Sequence, residues 1–210
     1  MRSVLALRGG IVKSAPELYE NAVALGEKKA AAPARKVAIL SLISGAHIAF
    51  GGLLAVTIGG NLGGLAQTNP GLQKLIFGIF GLPFGLYCVL TCGGELFTGN
   101  TALVAAALAE GRATWRGLAR NWSVSWLGNL VGAVLVVQLV VAAGLVSGPA
   151  FAAQLAVNKV TKPFLTTFLR GIVCNWMVCL AVWVATGCTS LLSKYLAIVL
   201  PVTAFVAFGA

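Results

Sequence analysis

The feature that most limits what this chain can become is the spacing of its charges. No Asp, Glu, Lys or Arg occurs between Lys36 and Lys74, and Glu95 is the only one from Lys74 to Glu110. Residues 121–158 carry none, Lys162 to Lys194 holds only Arg170, and none follows Lys194. A bilayer core of about 30 Å is crossed by about 20 apolar residues in helix, so windows of this length spell membrane spans. Spans are expected at 37–59, 75–109, 122–146 and 164–186, with a last segment from Tyr195 onward. Composition agrees: 59% of the 210 residues are hydrophobic and 10% charged, too few charges to solvate a globule. A disulfide scaffold is excluded because the five Cys lie in apolar stretches. The chain reads as an all-α polytopic membrane protein.

A formal net charge of +10 suggests nucleic acid until the basic residues are placed. Alternating the spans puts Arg2, Arg8, Lys13, Lys28, Lys29, Arg35, Lys36, Arg112, Arg116, Arg120 and Lys194 on one side. Lys74, Lys159 and Lys162 fall on the other. That eleven-to-three split places the N-terminus in the cytoplasm, the lipid bilayer around the chain, and no nucleic acid among its partners. The membrane expected is the plasma membrane, with an organelle membrane as the alternative. Two regions follow: 1–36, a cytoplasmic amphipathic helix region, and 37–210, the membrane domain. Ser14-Ala-Pro-Glu17 reads as a helix start, and Leu18, Ala22, Leu25 and Ala30 line one apolar stripe, a helix lying on the inner face. Residues 1–13 can also be read as a targeting segment.

Two segments break the pattern. Residues 75–109 would be about 52 Å long as one helix, too long for the membrane, yet too short for two spans and a turn. Their middle is Cys92-Gly-Gly-Glu-Leu-Phe-Thr-Gly-Asn100, which holds three Gly and the window's one charge. A discontinuous helix resolves the conflict, with one half ending before Cys92 and the other running from about Thr101 to Ala109. Irregular backbone at membrane depth survives where it lines a cavity, and transporters build sites from it. The second anomaly is the end: residues 195–210 give about 24 Å of helix, apolar to the last residue, so the expectation is a chain truncated within its fifth segment.

These stretches, with Asn121-Trp122, Gly128-Asn-Leu-Val-Gly-Ala133, Cys174-Asn-Trp-Met-Val-Cys-Leu-Ala-Val-Trp183 and Leu200-Pro-Val-Thr-Ala-Phe-Val-Ala-Phe-Gly209, resemble the formate/nitrite transporter family of pentameric anion channels. The resemblance is collinear over essentially the whole chain. It implies an aquaporin-like inverted-repeat channel fold with discontinuous helices, assembled as a homopentamer. It also implies transport of small monovalent anions (formate, nitrite, lactate or acetate), channel-like or coupled to protons, with no cofactor. The family's pore histidine follows the equivalent of Gly209, and His47 does not match it.

Site residues carry over on the same terms. Leu86, Leu96, Phe97 and Thr98 match the inner constriction and its loop, where threonine offers a hydroxyl to the anion. Phe205 matches the outer constriction, with Leu82 where relatives often have Phe and Phe84 two residues on. Lys159 matches a lysine of the outer vestibule, and Asn175 an asparagine at pore depth. Arg170 fits a basic position of nitrite-type members. Glu95 is a lone carboxylate in an apolar span, which costs at least ~2.5–3.5 kcal/mol unless partnered. Asn100 and one of Lys28 or Lys29 are its expected partners, and its expected role is to hold the loop. Core packing remains the competing reading for the Leu and Phe positions.

Other patterns carry no chemistry. Gly59-Gly-Asn-Leu-Gly-Gly64 imitates a phosphate loop without its strand and helix context. Gly128 and Gly132 have helix-packing spacing. Cys88 and Cys92 lack further metal ligands. One His and five acids give no catalytic set, so no enzyme is expected. The competing classes are a non-transporting membrane protein or assembly partner, and a neutral-solute channel.

Overall fold

The computed structural model describes residues 13–209. Arg2, Arg8 and all but Lys13 of the possible targeting segment lie outside the described residues. Ten helices follow in order: α1 (Ala15–Ala31), α2 (Ala34–Gly59), α3 (Gly63–Thr68), α4 (Pro70–Ile79), α5 (Leu82–Thr91), α6 (Phe97–Ala109), α7 (Trp115–Ala142), α8 (Pro149–Val160), α9 (Phe164–Ala185) and α10 (Leu191–Phe208). Among the described residues, α2, α7, α9, α10 and the end-to-end pair α4–α5 are long and apolar enough to cross a membrane. The protein is an integral, multi-pass membrane protein.

Helix α1 starts where the sequence indicates. The Ser14 backbone N–H donates to Glu17 Oε2 at 2.9 Å and its hydroxyl donates to the same oxygen at 2.6 Å, so the Glu17 carboxylate reaches back to fix the helix start. Its buried stripe is Ala22, Val23, Gly26 and Ala30. That stripe meets protein, chiefly α6, and Leu25 is exposed, so the expected stripe is shifted. The small residues decide this: a Cβ on Gly26 would stand 1.9 Å from the Leu103 carbonyl oxygen.

The most extensive helix pair is α2 with α7. A Cβ on Gly45 would fall 2.1 Å from the Asn129 carbonyl oxygen, and one on Gly132 1.9 Å from that of Leu42. Backbones approach this closely only over residues without side chains, which is how helices associate where lipid removes the hydrophobic drive.

Several boundaries differ from the sequence reading, for physical reasons. Helix α7 begins at Trp115, not near 122, because Thr114 caps it by accepting from the Gly117 N–H at 3.1 Å. Its first turns project past the apolar region, and Arg120 donates to the Ala30 carbonyl at 2.7 Å. Ser190 caps α10, which begins at Leu191, four residues before the expected start. The segment expected as a loop around Lys159 is the helix α8, entered through Gly148 at φ 74° and Pro149 in the first turn.

Candidate functional site

The long second segment is interrupted where glycine and charge cluster. Helix α5 ends at Thr91, Gly93 takes φ 69°, and α6 begins at Phe97. The non-helical stretch is residues 92–96, shorter than expected. Thr98, Gly99 and Asn100 therefore lie in the first turn of α6, not in a loop. This costs the N-terminal N–H groups of α6 no partner they would otherwise have. The Phe97 N–H finds one, donating to Asn129 Oδ1 at 2.8 Å. The Asn129 amide in turn donates to the carbonyls of Ser41 at 2.8 Å and Glu95 at 3.0 Å. One asparagine on α7 thus ties α2, the interruption and α6 together.

Glu95 is 5% exposed and is satisfied at both oxygens. Lys29 Nζ stands 3.0 Å from Oε1. Asn100 Nδ2 donates to Oε2 at 2.7 Å and Asn121 Nδ2 at 3.2 Å. Asn100 also donates to Asn121 Oδ1 at 3.0 Å, and Lys29 to the Gly94 carbonyl at 3.2 Å. Of the two lysines considered from sequence, the structure selects Lys29. The sequence reading gives Asn121 and Asn129 no such role; an asparagine within an otherwise apolar span is the one local signal they offer, and Asn121 is fully buried.

Beside this network lies an apolar cluster. Leu86 and Phe205 are buried with Leu103, Val178, Val182 and Val202, and Leu82 and Leu96 pack against the same cluster. The residues expected at the inner and outer constrictions, Leu86, Leu96, Leu82 and Phe205, thereby share one cluster. Phe97 is not: its ring makes an edge contact with Trp122, centroids 6.1 Å apart, on the α7 side.

The polar positions along α6 and α9 form a short relay. Asn175 Nδ2 donates to Thr101 Oγ1 at 2.9 Å, and Thr101 donates to the Thr98 carbonyl at 2.6 Å. The Cys179 thiol donates to the same carbonyl at 3.4 Å. Asn175 Oδ1 is buried with no hydrogen-bond partner among the described residues, unusual for a buried amide.

On the α1 side of this cluster opens a cavity of about 310 Å³ whose lining includes Lys28, Lys29, Lys36, Glu95, Leu96 and Asn100. At the other end Lys159 sits on the last turn of α8. Burial first, then the Arg170 guanidinium and Lys162, hold its ammonium below the ordinary lysine range. Among the described residues no three His, Cys, Asp or Glu side chains gather to hold a metal. The arrangement is a lysine-bearing cavity beside α1, an apolar cluster with a few hydroxyl and amide groups on α6 and α9, and basic side chains at the end of α8. Such an arrangement can gather small anions and filter them; it lacks an acid, base and nucleophile set.

Comparison with known proteins meets this geometry. The sequence profile described as "Formate/nitrite transporter" matches residues 16–210. A protein of Methanothermobacter thermautotrophicus described as "Probable formate transporter" is 39% identical, covering 96% of this chain and 79% of that protein. The "Nitrite transporter NirC" of Escherichia coli K12 is 33% identical over 81% of this chain and 62% of its own length. A solved structure titled "Pentameric formate channel with formate bound" superimposes with a TM-score of 0.73 at 30% identity, covering 84% of this chain and 69% of that one.

Proposed function

The chain belongs to the formate/nitrite transporter family, and on that premise we propose that it carries formate and nitrite through its apolar cluster, a plug between two basic mouths. Its function is transport of small monovalent anions across a membrane, as channels and transporters of this family do, and it is not an enzyme. The observation that carries the route is the plug of Leu82, Leu86, Leu96 and Phe205 directly beyond the lysine-lined cavity. Lys28 and Lys36 raise the local anion concentration at that mouth, and Lys159 does so at the other. The positive end of α6 and the Thr98 hydroxyl lower the cost of entering the plug.

A bare anion in an apolar constriction is heavily penalised. Formate, nitrite, lactate and acetate are anions of weak acids, so a proton taken up on the way in gives a neutral species that the Leu and Phe side chains tolerate. Flow is then channel-like with protons as co-passengers, needing neither ATP nor a cofactor. The α1 end faces the cytoplasm of a plasma-membrane protein, and five copies assemble, as in the pentameric relative. Glu95 holds the interruption in shape and does not touch the anion.

Thr98→Val in proteoliposomes tests the route. It removes a donor at nearly constant volume, so assembly should persist while formate and nitrite flux falls several-fold. Undiminished flux of both ions would remove Thr98, and the α6 turn, from the path.

A further inference from the structure

The hydrogen bonds between α6 and α9 have a direction, fixed by counting hydrogens. The Thr98 carbonyl can only accept. Thr101 Oγ1 donates to it at 2.6 Å, which spends the one hydrogen of that hydroxyl. The Thr101 oxygen is then an acceptor for its other neighbour, so the Asn175 atom 2.9 Å away is the amide nitrogen.

Which end of an amide is the oxygen is decided by its partners, and here they agree. Turned over, Asn175 would set its oxygen and the Thr98 carbonyl against a single hydrogen. Cys179 supports the same order: its sulfur lies 3.6 Å from Asn175 Nδ2, and its thiol donates to the Thr98 carbonyl at 3.4 Å. The direction is set by Thr98, Thr101 and Cys179, whatever approaches the far end of Asn175.

That far end is an oxygen, which accepts and never donates. It meets an O–H or N–H group well and opposes a bare anion with a partial negative charge. The residue stands at the edge of the apolar cluster: Val178, three positions along α9, is buried in it, and Cys174, the preceding residue, packs against it. On the proposed route a formate or nitrite ion has no O–H to offer here, whereas formic or nitrous acid has one.

We propose that Thr101 is a positioning residue for transport. By engaging the nitrogen of Asn175 it turns the amide oxygen toward the path, so that this station favours the O–H of a weak acid over any anion. The inference rests on the transport reading above and adds to it the residue pair that distinguishes the protonated species from the ion. Anions of strong acids, such as nitrate, carry no such hydrogen and are disfavoured at the same place.

The full chain, as the parent and as Thr101→Val and Thr101→Ser, is reconstituted in proteoliposomes, each checked for unchanged oligomer size, and formate, nitrite and nitrate influx are measured across a range of external pH. Valine keeps the volume of threonine and loses the hydroxyl; serine loses the methyl and keeps the hydroxyl. In Thr101→Val the amide is free to present its N–H groups, so the formate-to-nitrate ratio should fall about tenfold, the worth of one hydrogen bond, and the rise of formate influx on acidification should flatten. Thr101→Ser should restore both, the reverse of what a packing role predicts. Hydrogen exchange of the Asn175 side-chain amide, read by NMR on detergent-solubilised protein with isotope-labelled asparagine, should be slow in the parent and Thr101→Ser and faster in Thr101→Val. A parental ratio and pH profile in Thr101→Val overturn the proposal, as they would if a protein donor already held the Asn175 oxygen. Equal losses in Thr101→Ser and Thr101→Val overturn it too. A parent whose amide exchanges slowly through Thr101 yet moves none of the three ions would instead overturn the transport reading and leave the orientation of Asn175 standing.

Discussion

Removing the Lys29 ammonium should damage this protein more than removing the carboxylate it faces. The pair is 3.0 Å apart, with side-chain exposures of 11% and 7%. Lys29→Met would strand a buried charge, a change that costs about 3–5 kcal/mol. Two amide donors, Asn100 and Asn121, remain on Oε2, so the lower end, about 3 kcal/mol, is expected. Glu95→Gln keeps an acceptor for Asn100 and leaves Lys29 its bond to the Gly94 carbonyl, so about 1.5–3 kcal/mol is the expected loss. In the double variant no buried charge is stranded, and its loss should fall below the sum of the two by at least about 1.5 kcal/mol. Reversible unfolding in mixed SDS micelles, followed by helical circular dichroism, reads all three values. A Lys29→Met cost under about 1 kcal/mol, or additivity within about 0.5 kcal/mol, would refute the account of Glu95 as a locked structural charge.

Other consequences can be checked with the same preparation. Gly132→Ala should cost about 1–3 kcal/mol by forcing α2 and α7 apart, whereas Gly52→Ala, whose Cβ meets nothing within 4 Å, should stay within about 0.5 kcal/mol; equal unfolding midpoints for the two would contradict the packing. The Ser14 hydrogen bonds hold the Glu17 carboxyl below its ordinary value of 4.5. The cap's contribution is therefore complete above that value and disappears as pH falls through the lower folded one. Amide exchange in the first turn of α1, corrected for intrinsic rates, should rise on acidification in the parent and show no such step in Glu17→Gln. A cysteine replacing Val160 should react with an impermeant reagent from outside intact cells; labelling only after permeabilisation would invert the orientation.

What the sequence could reveal depended on how local each signal was. The interruption at residues 92–96 was legible because three glycines and a lone carboxylate crowd the centre of a segment too long for one span. Glu95's need for partners follows from its cost in an apolar stretch, and Asn100 and Lys29 are polar side chains that can answer it. Asn121 and Asn129 were not, because their importance lies in reaching across from α7 to the interruption, a tertiary relation. Window counting locates membrane spans and passes over α8, whose 12 residues are entered through a glycine and a proline and not through a charge. The starts of α7 and α10 were misplaced because capping by Thr114 and Ser190 carries each helix past its apolar limit. The constriction residues are ordinary Leu and Phe, indistinguishable by type from core; resemblance singled them out, and the fold gathers four of the five into one cluster while turning Phe97 toward Trp122.

The central claim is that this chain passes small monovalent anions of weak acids and not neutral solutes. The full chain in proteoliposomes, tested by light scattering and internal pH dye with formate, nitrite and glycerol gradients, addresses it most directly. The account predicts rapid formate and nitrite entry, accelerated at lower external pH and accompanied by internal acidification, with glycerol at the rate of empty vesicles. Glycerol entry above that rate with no formate or nitrite flux would contradict it.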